Sequence, residues 1–387
     1  FYSGKRTQAK PGPAGTQAVC GGDLMSFYQM MQLDPASNRK LRADAAPETV
    51  RKLRLAMVAR SALIVLFAIV FIGVMSTWFG AENSSMAVSI FCILLASRFV
   101  GFGYRISDSL LCMGLSFFLL LTGPVLALLP HELFWALAID FVSLLAIIVM
   151  TCENPGLGNG GLYTFAYIFL SGNPVRGDAF MQRAWLTVLG FALCGFVLWH
   201  NHRDQNRDRT FVSILRGFSL RSYKCQWQLR LAFGVSLLLA LFSTLDMTRF
   251  MWAGFACGSL LADVEVESHI HEKLRDRLLG AVIGSVAFWL IWSVLPVNLE
   301  QLLGPVGGMC LGLCAEYRHK TMLNCFGALS LAAGMYGLQG AVLLRIIMTL
   351  LGILFAILFF YVYDHFVMTA FVPEKSRLAP YRDDPER

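Results

Sequence analysis

Charge is what this sequence has least of. Only 15% of its 387 residues are Asp, Glu, Lys or Arg, where a soluble domain of this length carries nearer a quarter. That scarcity, with 56% hydrophobic residues and a mean hydropathy of +0.60, excludes an ordinary water-soluble globule. Period-2 alternation over short strands is also missing, which excludes a porin-like barrel. No Gly-x4-Gly-Lys-Ser/Thr loop occurs, which disfavours a self-contained ATP-driven pump. No nucleophile elbow or zinc-protease signature is present, and no enzymatic activity or cofactor is expected. There is no Cys-x-x-Cys pair among the ten cysteines. Cys310 and Cys314 share a helical face but lack nearby ligands, so the cysteines read as small packing residues. The start of the chain lacks the basic region, short apolar core and small-residue site of a signal peptide. Residues 1–24 read as disordered, with Met25 as the expected natural start.

What is present is a series of apolar blocks, at roughly 61–79, 84–99, 109–130, 133–151, 161–174 and 184–200, then 229–246, 249–263, 278–296, 301–316, 321–338 and 341–363. The expected fold is an all-α, polytopic helical membrane protein of about twelve transmembrane helices in two parallel six-helix repeats. Residues 1–60 form a polar N-terminal segment with an amphipathic approach helix from Pro47. The repeats occupy 61–200 and 229–363, joined by a cytoplasmic connection at 201–228, and 364–387 is a cytoplasmic tail. With both termini inside, only Arg176, Arg183, Arg249 and Arg345 of the 32 Lys and Arg residues fall outside, as the positive-inside rule requires. The same rule accounts for the net charge of +7, so nucleic acid is not an expected partner.

The duplication is visible in short matches. Leu53-Arg54-Leu55-Ala56 parallels Leu229-Arg230-Leu231-Ala232, and Asp108-Ser-Leu-Leu-Cys112 parallels Asp276-Arg-Leu-Leu-Gly280. Arg183-x-x-x-Thr187-x-x-Gly190 parallels Arg345-x-x-x-Thr349-x-x-Gly352 in the last block of each half. An even number of helices per repeat gives both copies the same orientation, related by an axis along the bilayer normal, with a substrate path where they meet.

In the second half, an arginine opens the run from Leu229, Trp252-Ala253 follows, and then comes Arg277-Leu-Leu-Gly280-Ala-Val-Ile-Gly284. This order resembles the fusaric-acid-resistance (FUSC) family, a branch of the aromatic acid exporter superfamily, in two copies over roughly 54–200 and 229–365. The resemblance implies a bacterial inner-membrane exporter of aromatic or other small organic acids, driven by the proton gradient. Plant malate channels are distant relatives, so a passive and dimeric anion channel is the alternative. A non-transporting envelope scaffold or regulator is a third. Many members carry a large soluble domain after each membrane half, where this chain has only the short connection at 201–228.

Arg183, Thr187 and Gly190 share one helical face, as do Arg345, Thr349 and Gly352. A guanidinium in that position suits a substrate carboxylate, the hydroxyl adds a hydrogen bond and the glycine leaves room. The competing role is an arginine snorkelling to outer headgroups while Thr and Gly pack. Asp140, inside a neutral run, is either a proton carrier or half of an ion pair. Trp252, Phe250, Phe255, Trp289 and Trp292 either stack on an aromatic substrate or face lipid. Gly280 and Gly284, four apart, are expected to let a neighbouring backbone approach, with Arg277 as a boundary anchor. His200-Asn-His202 and His269-Ile-His271 read as solvated loop histidines, with no metal site.

Overall fold

In a computed structural model, residues 25–43, 45–130, 132–263 and 266–368 are described, 266–271 and 368 in backbone alone. The expected disorder at 1–24 and most of the tail lie outside these residues, as do the side chains of His269 and His271. The described chain is helical with no strand. Seven helices are long and apolar enough to cross a membrane, and the protein is a multi-pass helical membrane protein.

Two short helices come first, α1 (Phe27–Gln32) and α2 (Pro35–Ala43). Ser26 and Gln29 close a capping box on α1, and Asp34 accepts the Ala36 and Ser37 N–H groups at the start of α2 at 3.0 and 3.2 Å. Both fold back on α3 (Pro47–Phe79), where Met30, Leu53 and Ala56 make a small satellite core. Arg60 ties this turn down by donating to the Leu33 carbonyl at 2.9 Å. The approach segment is therefore no separate helix. No Pro or Gly interrupts 48–72, so the basic first turns run unbroken into the apolar span.

Next come α4 (Ser84–Ser97), α5 (Ile106–Leu128), α6 (Leu133–Thr151), α7 (Asn159–Ser171) and α8 (Asp178–His202). A short α9 (Phe211–Arg216) lies in the connection. It is followed by α10 (Tyr223–Thr244), α11 (Met251–Leu261), α12 (Val266–Val294), α13 (Leu303–Leu311) and α14 (Tyr317–Tyr363). Four apolar blocks yield helices shorter than a span. The 14, 13, 11 and 9 residues of α4, α7, α11 and α13 reach at most about 21 Å at 1.5 Å per residue, against a hydrocarbon core about 30 Å thick. Helices α4, α7 and α11 are largely buried between neighbouring helices, whereas α13 buries only Leu303 and Gly307. Cys314 lies beyond the end of α13 and donates its thiol to the Cys310 carbonyl at 3.4 Å. The nine described cysteines are free thiols.

The last two apolar blocks are one element, α14, broken at Gly337 (φ 71°, ψ 163°). Unbroken, its 47 residues would extend about 70 Å, far beyond a bilayer. Only glycine adopts that backbone geometry without strain. Gly337→Ala is expected to cost about 1–3 kcal/mol, read as a lower thermal unfolding midpoint in detergent micelles.

Helices α3–α8 pack mainly on one another, as do α11–α14, while α10 belongs to the second group by sequence and packs chiefly on α6. The two groups meet where α10 lies along α6, where α11 crosses α7, and where α13 touches α3. At this seam the buried Trp227 donates its indole N–H to the Asp263 carbonyl at 3.2 Å. Gln228 donates to the Cys152 carbonyl at 3.0 Å, and Lys224 pairs with Glu153 at 2.8 Å. Gly160 makes room for the Trp227 ring, since a Cβ there would strike it.

Candidate functional site

The duplicated arginines have different surroundings. Arg183, 1% exposed, uses all three guanidinium nitrogens on its own half. Nε donates to Asn83 Oδ1 at 2.9 Å and Nη1 to the Asn173 carbonyl at 2.9 Å. Nη2 donates to the Glu82 carbonyl at 3.1 Å and to Ser85 Oγ at 3.2 Å. It ties the start of α4 and the end of α7 to α8. Thr187 returns its hydroxyl proton to the Arg183 carbonyl at 2.7 Å, and Gly190 receives the Ile90 side chain.

Arg345 is equally buried, at 3% exposed, but its Nε has no hydrogen-bond partner. Its guanidinium lies over the Trp252 ring, 5.1 Å from the centroid, a contact worth about 0.5–2 kcal/mol. Thr349 is buried on the same helix. Gly352 lets α14 meet the backbone of α11 at Ala253, where any Cβ would collide. The structure thus brings Arg345 and Trp252 together, while the partners of Arg183 all belong to the other group of helices.

Asp140, 3% exposed on α6, accepts the Tyr167 hydroxyl of α7 at 2.7 Å. No basic side chain pairs with it among the described residues. Both the Tyr167 and Ser143 hydroxyls lie against Gly123 of α5, so this polar cluster sits where α5, α6 and α7 join. Phe255 stacks on Phe165 of α7 with centroids 4.9 Å apart. Trp292 packs on Phe288 at 5.2 Å, and Trp289 is 38% exposed.

Two expectations need correction. His202 is not a solvated loop residue: it is buried in the last turn of α8, with Nε2 at 3.1 Å from the Ser97 carbonyl and Nδ1 at 3.1 Å from Gln205. Arg277 is not a lipid-boundary anchor. It is 7% exposed and faces inward because it shares a face with Gly280 and Gly284, which press on α14. The Arg277 charge also bears on Arg345. No group of three or more metal-ligating side chains occurs among the described residues.

Arg277 lines two cavities at the seam. One, of about 490 Å³, lies between α3, α13 and the first limb of α14, and among the described residues its charged lining is Arg60, Arg277 and Lys320, with no acid. The other, of about 570 Å³, lies between α7, α11, α12 and α14. Asn324 lines both. Reasoning along the sequence missed Arg60, Lys320 and Asn324, because nothing local distinguishes them from ordinary polar residues flanking an apolar run.

This is a multi-pass membrane body with cationic cavities at the seam of two helical groups. Residues 234–359, from within α10 to the second limb of α14, match the family described as fusaric acid resistance protein-like, a family of membrane transporters. No curated protein and no solved structure matches the chain.

Proposed function

We propose that the protein is a transporter of small organic anions. The observation that carries this reading is the roughly 490 Å³ cavity between the two helical groups, whose charged lining is wholly basic. Arg277 is buried, Arg60 half-buried and Lys320 exposed at the mouth; like charges facing one space repel each other, and an entering anion relieves that repulsion. The family match on the second half supports the same reading. In this proposal the chain is two six-helix repeats, 61–200 and 229–363, inserted the same way up with both termini in the cytoplasm. Rocking of one against the other in a bacterial inner membrane exports aromatic or related organic acids. Arg345, with Trp252 and Thr349, holds the anion on the second repeat; Arg183 and Thr187 fix the matching helix of the first.

Export is coupled to the proton gradient through Asp140, whose buried carboxyl has only a neutral hydroxyl as its hydrogen-bond partner. Asp140→Asn keeps the Tyr167 hydrogen bond but cannot change charge. It is expected to abolish the response of anion flux to an imposed pH gradient in proteoliposomes, while flux down the anion's own gradient persists. Full pH dependence in that variant refutes the role of Asp140. Anion current in wild-type vesicles without a pH gradient would make the protein a passive channel. Absence of flux for every anion tried would leave the scaffold reading.

A further inference from the structure

The larger cavity, of about 570 Å³, falls in the range of small-molecule sites and has a definite charge. Among the described residues its ionisable lining is Lys273, Arg277 and Asp263. The Lys273 ammonium is ion-paired with the Asp263 carboxylate and stands over the Tyr317 ring at 5.3 Å. These two charges cancel. Arg277 has no such partner: its Nη1 reaches the Tyr317 hydroxyl only at 3.5 Å and its Nε has none. One positive charge is left, more than nine-tenths buried. A second polar group is also unsatisfied, the hydroxyl of Thr164, which is 1% exposed on the wall formed by α7. The rest of that wall is apolar, dominated by the stacked Phe165 and Phe255.

A buried guanidinium and a buried hydroxyl without partners each cost free energy that a ligand recovers by satisfying them. A carboxylate matches the planar fork of the guanidinium, and a flat apolar body matches the phenylalanine wall. Among the described residues, a second negative charge would find no second free cation and would face Asp263.

We infer that this cavity is a selecting anion site, separate from the one held by Arg345, that Arg277 binds the carboxylate there, and that the Lys273–Asp263 pair sets a preference for singly over doubly charged carboxylates. The inference rests on the reading of the protein as an anion transporter and adds the site and its charge rule. The basic cavity on the other face of Arg277 and Asn324 then gathers anions without discriminating, and selection occurs one step deeper.

The test uses the full chain in lipid nanodiscs for binding and in proteoliposomes for flux, with radiolabelled benzoate as monoanion and isophthalate as dianion on the same ring. Wild type is expected to prefer benzoate in both measurements, Arg277→Gln to bind benzoate about tenfold more weakly or worse, and Phe255→Ala to weaken it less. Asp263→Asn frees the Lys273 charge and is expected to shift preference towards isophthalate, a gain that misfolding cannot mimic. Unchanged benzoate binding in Arg277→Gln, or unchanged preference in Asp263→Asn, overturns the site. Benzoate binding with these variant effects but without flux upholds the site and overturns the transporter reading. Flux that ignores both variants does the reverse.

Discussion

Arg183→Ala lowers the stability of the folded protein by about 3 kcal/mol or more, since a buried charged donor is lost and its neutral acceptors are left unpaired. The Asn83 amide oxygen, the Ser85 hydroxyl and the carbonyls of Glu82 and Asn173 all lose their donor at once. They come from two chain segments that α8 otherwise holds less firmly, so α4 and α7 loosen together. Arg345→Ala at the matching position behaves differently. It gives up the contact with Trp252 and the interaction with the Cys325 side chain but removes a buried charge whose Nε was unpaired, and these terms oppose each other. Its thermal midpoint is expected to stay near wild type while organic-anion flux falls. Thermal unfolding in detergent and flux in proteoliposomes, run on both variants, separate the roles. Equal loss of stability in the two would show that both arginines are structural.

The second large effect is at the contact of α12 with α14. A Cβ on Gly284 would lie 2.7 Å from Met322 Cα and closer still to its carbonyl oxygen. One on Gly280 would lie 2.7 Å from Thr321 Cβ and 2.9 Å from the Arg318 carbonyl oxygen. Backbone cannot step aside as a side chain does, so Gly284→Ala must separate the helices. We expect a loss of about 3 kcal/mol or more, at the upper end for overpacking, and a collapse of folded yield on size-exclusion chromatography. Gly327→Ala on α14 is the control, because a Cβ there meets nothing within 4 Å. It is expected to stabilise by up to about 1 kcal/mol through helix propensity alone. The opposite signs of two identical substitutions make the test independent of general helix effects.

The packing at Gly284 is legible in the sequence because the glycine spacing and the uncharged run lie within one helix. The same spacing also places Arg277 on that face, three residues before Gly280. An arginine beside two packing glycines turns towards protein, and the helical register alone carries that signal. The unequal fates of Arg183 and Arg345 have no such local mark. Their motifs are nearly identical, and the difference lies in partners about a hundred residues away along the chain, Asn83 and Ser85 for one and Trp252 for the other. Likewise the break in α14 is one glycine among several in that run, distinguished only by its positive φ.

By itself the sequence determined the helical membrane class, the apolar blocks, the small residues of close helix contacts and the likeness of the second half to a transporter family. These follow from hydropathy, spacing and short motifs, which are properties of neighbouring residues. Tertiary structure alone decided which blocks form helices long enough to span and which form shorter ones, which arginine is satisfied by protein, and where the cavities lie. Those depend on which distant groups meet, because a buried charge takes its character from its partners.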